Sequence, residues 1–343
     1  MKNEILSWEN IDLAWRLVRK NHHRSRQVIR FEKDLLNNLW DLRESLDLMK
    51  WKPGPYRMFT IYEPKERLIA APCLKNRIVQ QMWTNITNPI FESSYIEHSY
   101  ACRVGKGMLR ACLDLQSSMR NLRRDEEWFV LKIDFRKFFH SVNHKTIKRI
   151  LRNYIDDELG LYIADSIINS YNPGLPIGSL TSQILANVVL NEVDHYSLDR
   201  LKIKKYGRYM DDIYVLGNSR DILEDLLGNI ACFASKELGL DVNGRKCRVV
   251  TFKKPYSKAN GIDFCGYRVY PDKLYVRKST LKRAIRRIKA VMDRVNQDPE
   301  LLTYLEDLLT SIHGLLKYAD DDAYTRMIKR TVISDAYRMV RIG

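Results

Sequence analysis

The sequence predicts an α+β fold in which a small sheet carries acids at its strand ends and helices supply most of the rest. Three observations predict it. Trp128-Phe129-Val130-Leu131-Lys132-Ile133-Asp134-Phe135 is an apolar run of strand formers that ends on an acid. Lys205 to Leu216 places β-formers on both sides of Asp211-Asp212, which reads as a hairpin with both carboxylates at its tight turn. The segments around these two carry apolar residues at helical spacing. Adjacent carboxylates raise each other's pKa unless a cation is present, and no neighbouring side chain obviously neutralises this pair. A solvated Asp-Asp turn and a metal site both satisfy the segment, so a third carboxylate on another strand decides between them.

A chain of 343 residues buries a substantial core and has room for two or three domains. The formal net charge of +16 points to a polyanionic partner. Nucleic acid is favoured over a membrane, because no amphipathic anchor and no membrane-length apolar run accompanies the charge. Cys73, Cys102, Cys112, Cys232, Cys247 and Cys265 form no CxxC or Cys/His cluster and read as free thiols of a reducing cytoplasm. Met1 to Ser7 lacks the apolar run of a signal peptide.

From the N-terminus, Ser7 caps a helix over 8–20 with Leu13, Leu17 and Val18 as its stripe. After a basic break at His22-His23-Arg24-Ser25-Arg26, a second helix is expected over 28–49, with Phe31, Leu35, Leu39, Leu42 and Leu46 at helical spacing. Strands over 57–62 and 68–71 form a hairpin whose connection, Glu63-Pro64-Lys65-Glu66-Arg67, puts Lys65 and Arg67 at its tip. Such cations are either simply solvated or suited to phosphate, for which the arginine fork is well shaped. A helix over 74–87 begins with Lys75 and Arg77, and a basic Gly-punctuated turn containing Arg103 leads into a helix over 108–122.

Asp134 ends a strand that its composition marks as buried, where an acid is costly unless paired or metal-bound. A helix opens at 141–143, and 151–170 is helical. The loop 172–183 contains Ile177, Gly178, Ser182 and Gln183 and precedes a helix over 184–198. Glycine there lets a ligand approach the backbone, and Thr181 or Ser182 serves as the N-cap. Further on come a helix over 220–238, a strand over 240–242, a basic turn Asn243-Gly244-Arg245-Lys246, and strands over 248–252 and 261–270. Arg277, Lys278, Lys282, Arg283, Arg286, Arg287 and Lys289 then crowd one helix almost without acids. Unbalanced charge of that kind suits a polyanion better than a solvated face. Asp298-Pro299 breaks the chain before helices over 300–318 and 321–340.

Asp134 with Asp211 and Asp212 makes a set that two neighbouring strands would bring together. Hard carboxylate oxygens suit two Mg2+ ions, with Mn2+ as a substitute, which acidify an attacking hydroxyl and steady a leaving pyrophosphate. The combination favours a nucleotidyltransferase over a metal-binding module.

At these residues the chain resembles reverse transcriptases. Ile133-Asp134-Phe135-Arg136-Lys137-Phe138-Phe139 is similar to the first catalytic motif of their palm, Tyr209-Met210-Asp211-Asp212 to their signature turn, and Gly261 to Tyr270 to their primer-grip hairpin. The resemblance implies a right-hand polymerase: N-terminal helices and fingers over 1–125, a palm over 126–272 with a helical insertion at about 144–173, and a basic helical thumb over 273–343. It implies metal binding by Asp134, Asp211, Asp212 and the backbone carbonyl of Phe135. It further implies triphosphate contacts from Lys65 and Arg67, exclusion of the 2′-hydroxyl by Phe139, and assistance to the leaving pyrophosphate by Lys246.

Ile177-Gly178 with Ser182-Gln183 narrows the resemblance to the error-prone reverse transcriptases of diversity-generating retroelements, bacterial or phage-encoded. Those enzymes copy a template RNA into cDNA and work with a small basic pentameric helical accessory protein. Ile177, Gly178, Ser182 and Gln183 would then lie against the templating base and incoming dNTP. Arg77, Arg103, Lys278, Lys282, Arg283, Arg286 and Arg287 would contact the template or the RNA/cDNA duplex. Phe139-His140-Ser141 and Asn243-Gly244-Arg245 depart from the usual Phe-Pro-Ser and Asn-Pro-Lys-like patterns. An antiphage-defence reverse transcriptase is the alternative reading, and an inactive RNA-binding protein on the same fold is the alternative of another class.

Overall fold

The structure is a computed structural model that describes residues 1–342 except positions 21, 24, 63, 64, 296 and 299, and side chains up to 340. Arg24 of the basic break, Glu63-Pro64 of the hairpin connection and Pro299 lie outside the described residues.

The N-terminal helices are α1 (Lys2–Ile5), α2 (Trp8–Arg19), α3 (Arg26–Glu32) and α4 (Leu35–Asp47). Ser7 caps α2 by accepting from the Asn10 amide, as expected. The buried stripe of α2 is Ile11, Ala14, Trp15 and Val18, whereas Leu13 and Leu17 are exposed. Of the expected stripe Val18 is buried, and Ile11, Ala14 and Trp15 rather than the leucines complete the inward face. The single helix expected over 28–49 is two, since the backbone leaves helical geometry at Asp34 (φ −140°), the residue before α4.

Strands β1 (Tyr56–Ile61) and β2 (Arg67–Pro72) pair antiparallel, Phe59 opposite Ile69 and Ile61 opposite Arg67. Helix α5 (Leu74–Ser94) runs beyond the expected 87 and contains Pro89. Next come α6 (Met108–Arg120), β3 (Trp128–Ile133), α7 (Phe138–Ser141), α8 (His144–Leu151), α9 (Glu158–Asn169) and α10 (Leu180–His195). Helix α10 starts earlier than 184, and its cap residue is Ser179 rather than Thr181 or Ser182. Ser179 and Thr181 instead share a buried hydroxyl contact, and Ser179 donates to Gln80.

Strands β4 (Tyr206–Tyr209) and β5 (Asp212–Gly217) form the predicted hairpin, followed by α11 (Arg220–Phe233) and β6 (Arg248–Lys253). The strand expected over 240–242 is reduced to one bridge, Phe135 with Val242. The sheet order is β4-β5-β3-β6, so the strand ending before Asp134 lies beside the strand that begins with Asp212. β7 (Ile262–Phe264), β8 (Tyr267–Val269) and β9 (Leu274–Val276) make a separate antiparallel sheet. Helices α12 (Lys278–Val295), α13 (Leu301–Leu316), α14 (Ala323–Ile328) and α15 (Ser334–Ile342) complete the chain.

Two compact units emerge, 1–103 with 131–214 and 221–248, and 104–130 with 215–220 and 249–343. In the first, α2, α10 and α9 pack on α5, whose Val79, Met82 and Trp83 are fully buried. In the second, the β7-β8-β9 sheet is tied to α6 by Gln116 donating to the Tyr270 carbonyl (3.0 Å) and to the C-terminal helices by Tyr267 donating to the Leu315 carbonyl (2.9 Å). Residues 104–125 group with the C-terminal residues, and β9 pairs with β8 before it.

Candidate active site

β3 is buried along nearly its whole length, which forces the acid that follows it to find partners. Asp134 has two. The Lys246 ammonium lies 2.6 Å from both carboxylate oxygens, and the Asn243 side-chain amide donates to Oδ2 at 3.3 Å. The turn carrying these partners is anchored by the Asn243 N–H donating to the Asp134 carbonyl (2.7 Å). Phe135 is buried, its ring against Phe138, and half-buried Phe139 meets Phe138 edge-on with centroids 5.5 Å apart.

In the hairpin, Met210 takes the left-handed conformation at φ +51°, so the turn is made by Met210 and Asp211 while Asp212 opens β5. The expectation that nothing nearby neutralises the pair is overturned for Asp212, whose carboxylate meets the Lys132 ammonium at 2.7 Å. Lys132 escaped notice in the sequence, although the two-residue strand period puts positions 132 and 134 on one face. Burial is the main force that raises the Asp211 pKa, and the charges of Asp134 and Asp212 raise it further. The three carboxylates are thus near enough to repel.

Among the described residues no group of three or more His, Cys, Asp or Glu side chains is placed to hold a metal ion. The donor set nevertheless suits Mg2+, which binds through one or two carboxylates and completes its shell with water and substrate phosphates. Two ammonium groups already sit on Asp134 and Asp212, marking positions where positive charge is stabilised. Asp211, which burial first and the charges of Asp134 and Asp212 second push towards its neutral form, is the group that a cation would relieve.

The loop before α10 is joined to the β1-β2 hairpin. The Ala70 N–H donates to the Ile177 carbonyl at 2.8 Å, and Gly178, at φ +109°, leaves no room for a Cβ, which would come within 2.7 Å of Ile69 Cγ2. Ile69 and exposed Arg67 lie two residues apart on β2, hence on one face of the hairpin. Lys65 is also exposed on this hairpin, and Gln183 is exposed on the first turn of α10. Ser182 is buried at 2 % exposure.

Two of the arginines expected to contact nucleic acid make bonds within the protein. Arg103 is buried against Glu92 (2.7 Å) and donates to the carbonyls of Ile96 and Ser99, which leaves its fork occupied within the protein. Half-buried Arg77 donates to the Val18 carbonyl at 3.3 Å, and burial lowers its pKa. In the other unit, Lys278, Lys282, Arg286 and Arg287 are exposed along α12 and Arg283 is half-buried, while Leu281, Ile285 and Ile288 form the inward face. Arg287 also donates to the Tyr304 hydroxyl at 2.6 Å.

A buried polar frame behind the turn was not legible in the sequence. Arg208, fully buried, forks onto fully buried Asp194 at 2.6–2.9 Å and donates to Asn187 and Ser99. Tyr206 donates to the same carboxylate at 2.6 Å. β4 is thereby fixed to α10 and to the segment around Ser99, two residues before the Met210 turn.

The family model of reverse transcriptase (RNA-dependent DNA polymerase) matches residues 52–269, a span that includes the carboxylates, the hairpin and the Gly178 loop. The chain belongs to the reverse transcriptase family. Two bacterial relatives accord with this. Protein YkfC of Escherichia coli strain K12 is 25% identical over 62% of this chain and 61% of its own length. The retron Ec73 reverse transcriptase of Escherichia coli is 25% identical over 70% of this chain and 76% of its own. A solved structure of apo telomerase from Candida tropicalis shares the α+β polymerase fold, with a TM-score of 0.50 at 12% identity, over 85% of this chain and 64% of that one. The chain therefore spans less than two thirds of YkfC and of the telomerase chain. Among the described residues no helix is long and apolar enough to cross a membrane.

Proposed function

We propose that this reverse transcriptase family member is an active RNA-directed DNA polymerase that copies a template RNA into cDNA from dNTPs, and that it is the error-prone enzyme of a diversity-generating retroelement. The observation that carries the polymerase reading is the convergence of Asp134, Asp211 and Asp212, with Lys132 and Lys246 beside them. Mg2+ bound by these carboxylates, or Mn2+ in its place, would supply the acidification of the primer 3′-hydroxyl and the neutralisation of phosphate charge. The protein's own share is positioning. Arg67 and Lys65 offer cations to the triphosphate on the hairpin that Ala70 joins to Ile177. Phe139 offers an aromatic edge against the sugar, and Lys246 an ammonium whose proton a leaving pyrophosphate takes up. The cations of α12 suit the duplex backbone.

The retroelement reading rests on Ile177-Gly178 and Ser182-Gln183, the residues in which this loop resembles those enzymes. On the same reading, a small basic pentameric accessory protein assists the enzyme in the bacterial cytoplasm.

Primer extension on an RNA template tests the activity. The wild type is expected to extend. Asp211→Asn/Asp212→Asn is expected to lose about a thousandfold in rate, the scale of removing a group that stabilises transition-state charge, while still binding RNA. Undiminished synthesis by the variant sinks the assignment. Sequencing the wild-type cDNA tests the subgroup: errors should concentrate opposite template adenine, and an even spread over the four bases refutes it.

A further inference from the structure

Gln183 is exposed, but its side chain is not left to wander. The Cys102 thiol donates to its Oε1 with Sγ 3.2 Å away. One turn further along α10, the Asn187 side-chain amide donates to the Ala101 carbonyl at 2.8 Å. Residues four apart lie on one helix face, so Gln183 and Asn187 together hold two consecutive residues of the 99–103 segment. The other side of that segment is equally fixed. The Tyr100 N–H donates to the Arg208 carbonyl, Ser99 receives the Arg208 guanidinium, and Arg103 donates to the Ser99 carbonyl. Cys102 itself sits at φ +57°, a conformation that non-glycine residues hold only when their surroundings impose it.

We propose that Cys102 is a positioning residue for nucleotide selection: its thiol turns the Gln183 amide so that the carbonyl oxygen faces the protein and the NH2 group is presented to the nascent base pair. This rests on the polymerase reading, in which the loop before α10 flanks the templating position. The direction of the amide follows from chemistry. Desolvation raises the thiol pKa, so the group is a protonated donor at neutral pH and needs the acceptor end of the amide. An outward NH2 meets a surface that all correct pairs share, because the purine N3 and pyrimidine O2 acceptors of the minor groove recur in every base pair. A fixed donor there reads the geometry of a pair rather than its identity. Freeing the amide lets it rotate and blurs that reading.

Single-nucleotide insertion, matched and mismatched, tests this with Cys102→Ala, Cys102→Ser, Gln183→Ala and the Cys102→Ala/Gln183→Ala pair. Cys102→Ala keeps a Cβ at the same backbone angle and removes only the donor. It is expected to change the ratio of kcat/KM for matched over mismatched dNTP by about two- to tenfold, the scale of one neutral hydrogen bond, through KM and with the thermal midpoint held. Cys102→Ser should restore the ratio, and the double variant should match Gln183→Ala alone. An unchanged ratio in Cys102→Ala, or effects of the two alanine changes that multiply, overturns the inference. A wild type without polymerase activity would overturn the function instead. The pairing itself is then judged by the alkylation rate of Cys102, read by mass spectrometry. Gln183→Ala should raise that rate severalfold by removing the acceptor that holds the proton, and an unchanged rate refutes the contact.

Discussion

Asp211 is the residue on which chemistry and stability pull in opposite directions. Burial and the charges of Asp134 and Asp212 raise its pKa. The folded carboxyl therefore keeps its proton to a higher pH than the unfolded one. Between the ordinary carboxylate range and the raised value the folded state binds more protons, so stability falls as pH rises through that window. Asp211→Asn carries no charge at any pH and removes this loss. In chelator at pH 7 the variant is expected to melt above the wild type, with a flatter pH dependence, while cDNA synthesis collapses. Scanning calorimetry in EDTA against pH checks it, and a lower midpoint than wild type at pH 7 would refute it. Such a trade of stability for function is what a site built from like charges should show. Lys132 and Lys246 limit the cost by sitting on the two flanking carboxylates.

At the scale of elements, the contact between the β1-β2 hairpin and the loop before α10 decides whether Arg67 and Lys65 face the same space as the loop. Among the described residues it rests on the Ala70–Ile177 backbone hydrogen bond and on the absence of a side chain at Gly178. Gly178→Ala introduces strain at φ +109° and a clash with Ile69, which lies in a strand. The expected result is a loss of more than about 1 kcal/mol in urea unfolding, with a KM for dNTP raised more than kcat is lowered. Wild-type stability and KM would show that the contact is not made. The glycine itself was legible in the sequence as a site of close approach. Its neighbour was not: position 69 is one apolar residue in a short strand, and only the register of the hairpin sets its side chain beside position 178. The N-terminal helices failed for a related reason. Leu13 and Leu17 have the right spacing for a core, but the inward face of α2 is chosen by what packs on it, and that is α5.

Over the whole molecule, the formal charge of +16 is a statement about partners rather than about fold. Cationic side chains of α12 that touch phosphates displace counterions, so removing such a cation lowers the salt dependence of binding. Lys282→Ala/Arg286→Ala is expected to weaken binding of an RNA/DNA duplex about equally for all sequences. It should also reduce the slope of log affinity against log salt by about two. Fluorescence anisotropy over a salt series reads this directly, and an unchanged slope would take α12 out of the interface. The candidate positions were legible in the sequence because each is local: an acid after an apolar strand, two acids in a strand-turn-strand, a glycine before a helix, and cations without acidic partners. Those patterns follow from backbone geometry and solvation within a dozen residues. What only the tertiary structure decided is which groups share a charge or a hydrogen bond across long separations. It set Lys132 on Asp212 and Lys246 on Asp134, sealed Arg103 and Ser182 inside, and locked Arg208 to Asp194 behind the turn. The physical reason is that burial and pairing energies depend on distance in space. Backbone geometry sets that distance along a strand or a helix, and leaves it open between them until the chain has packed.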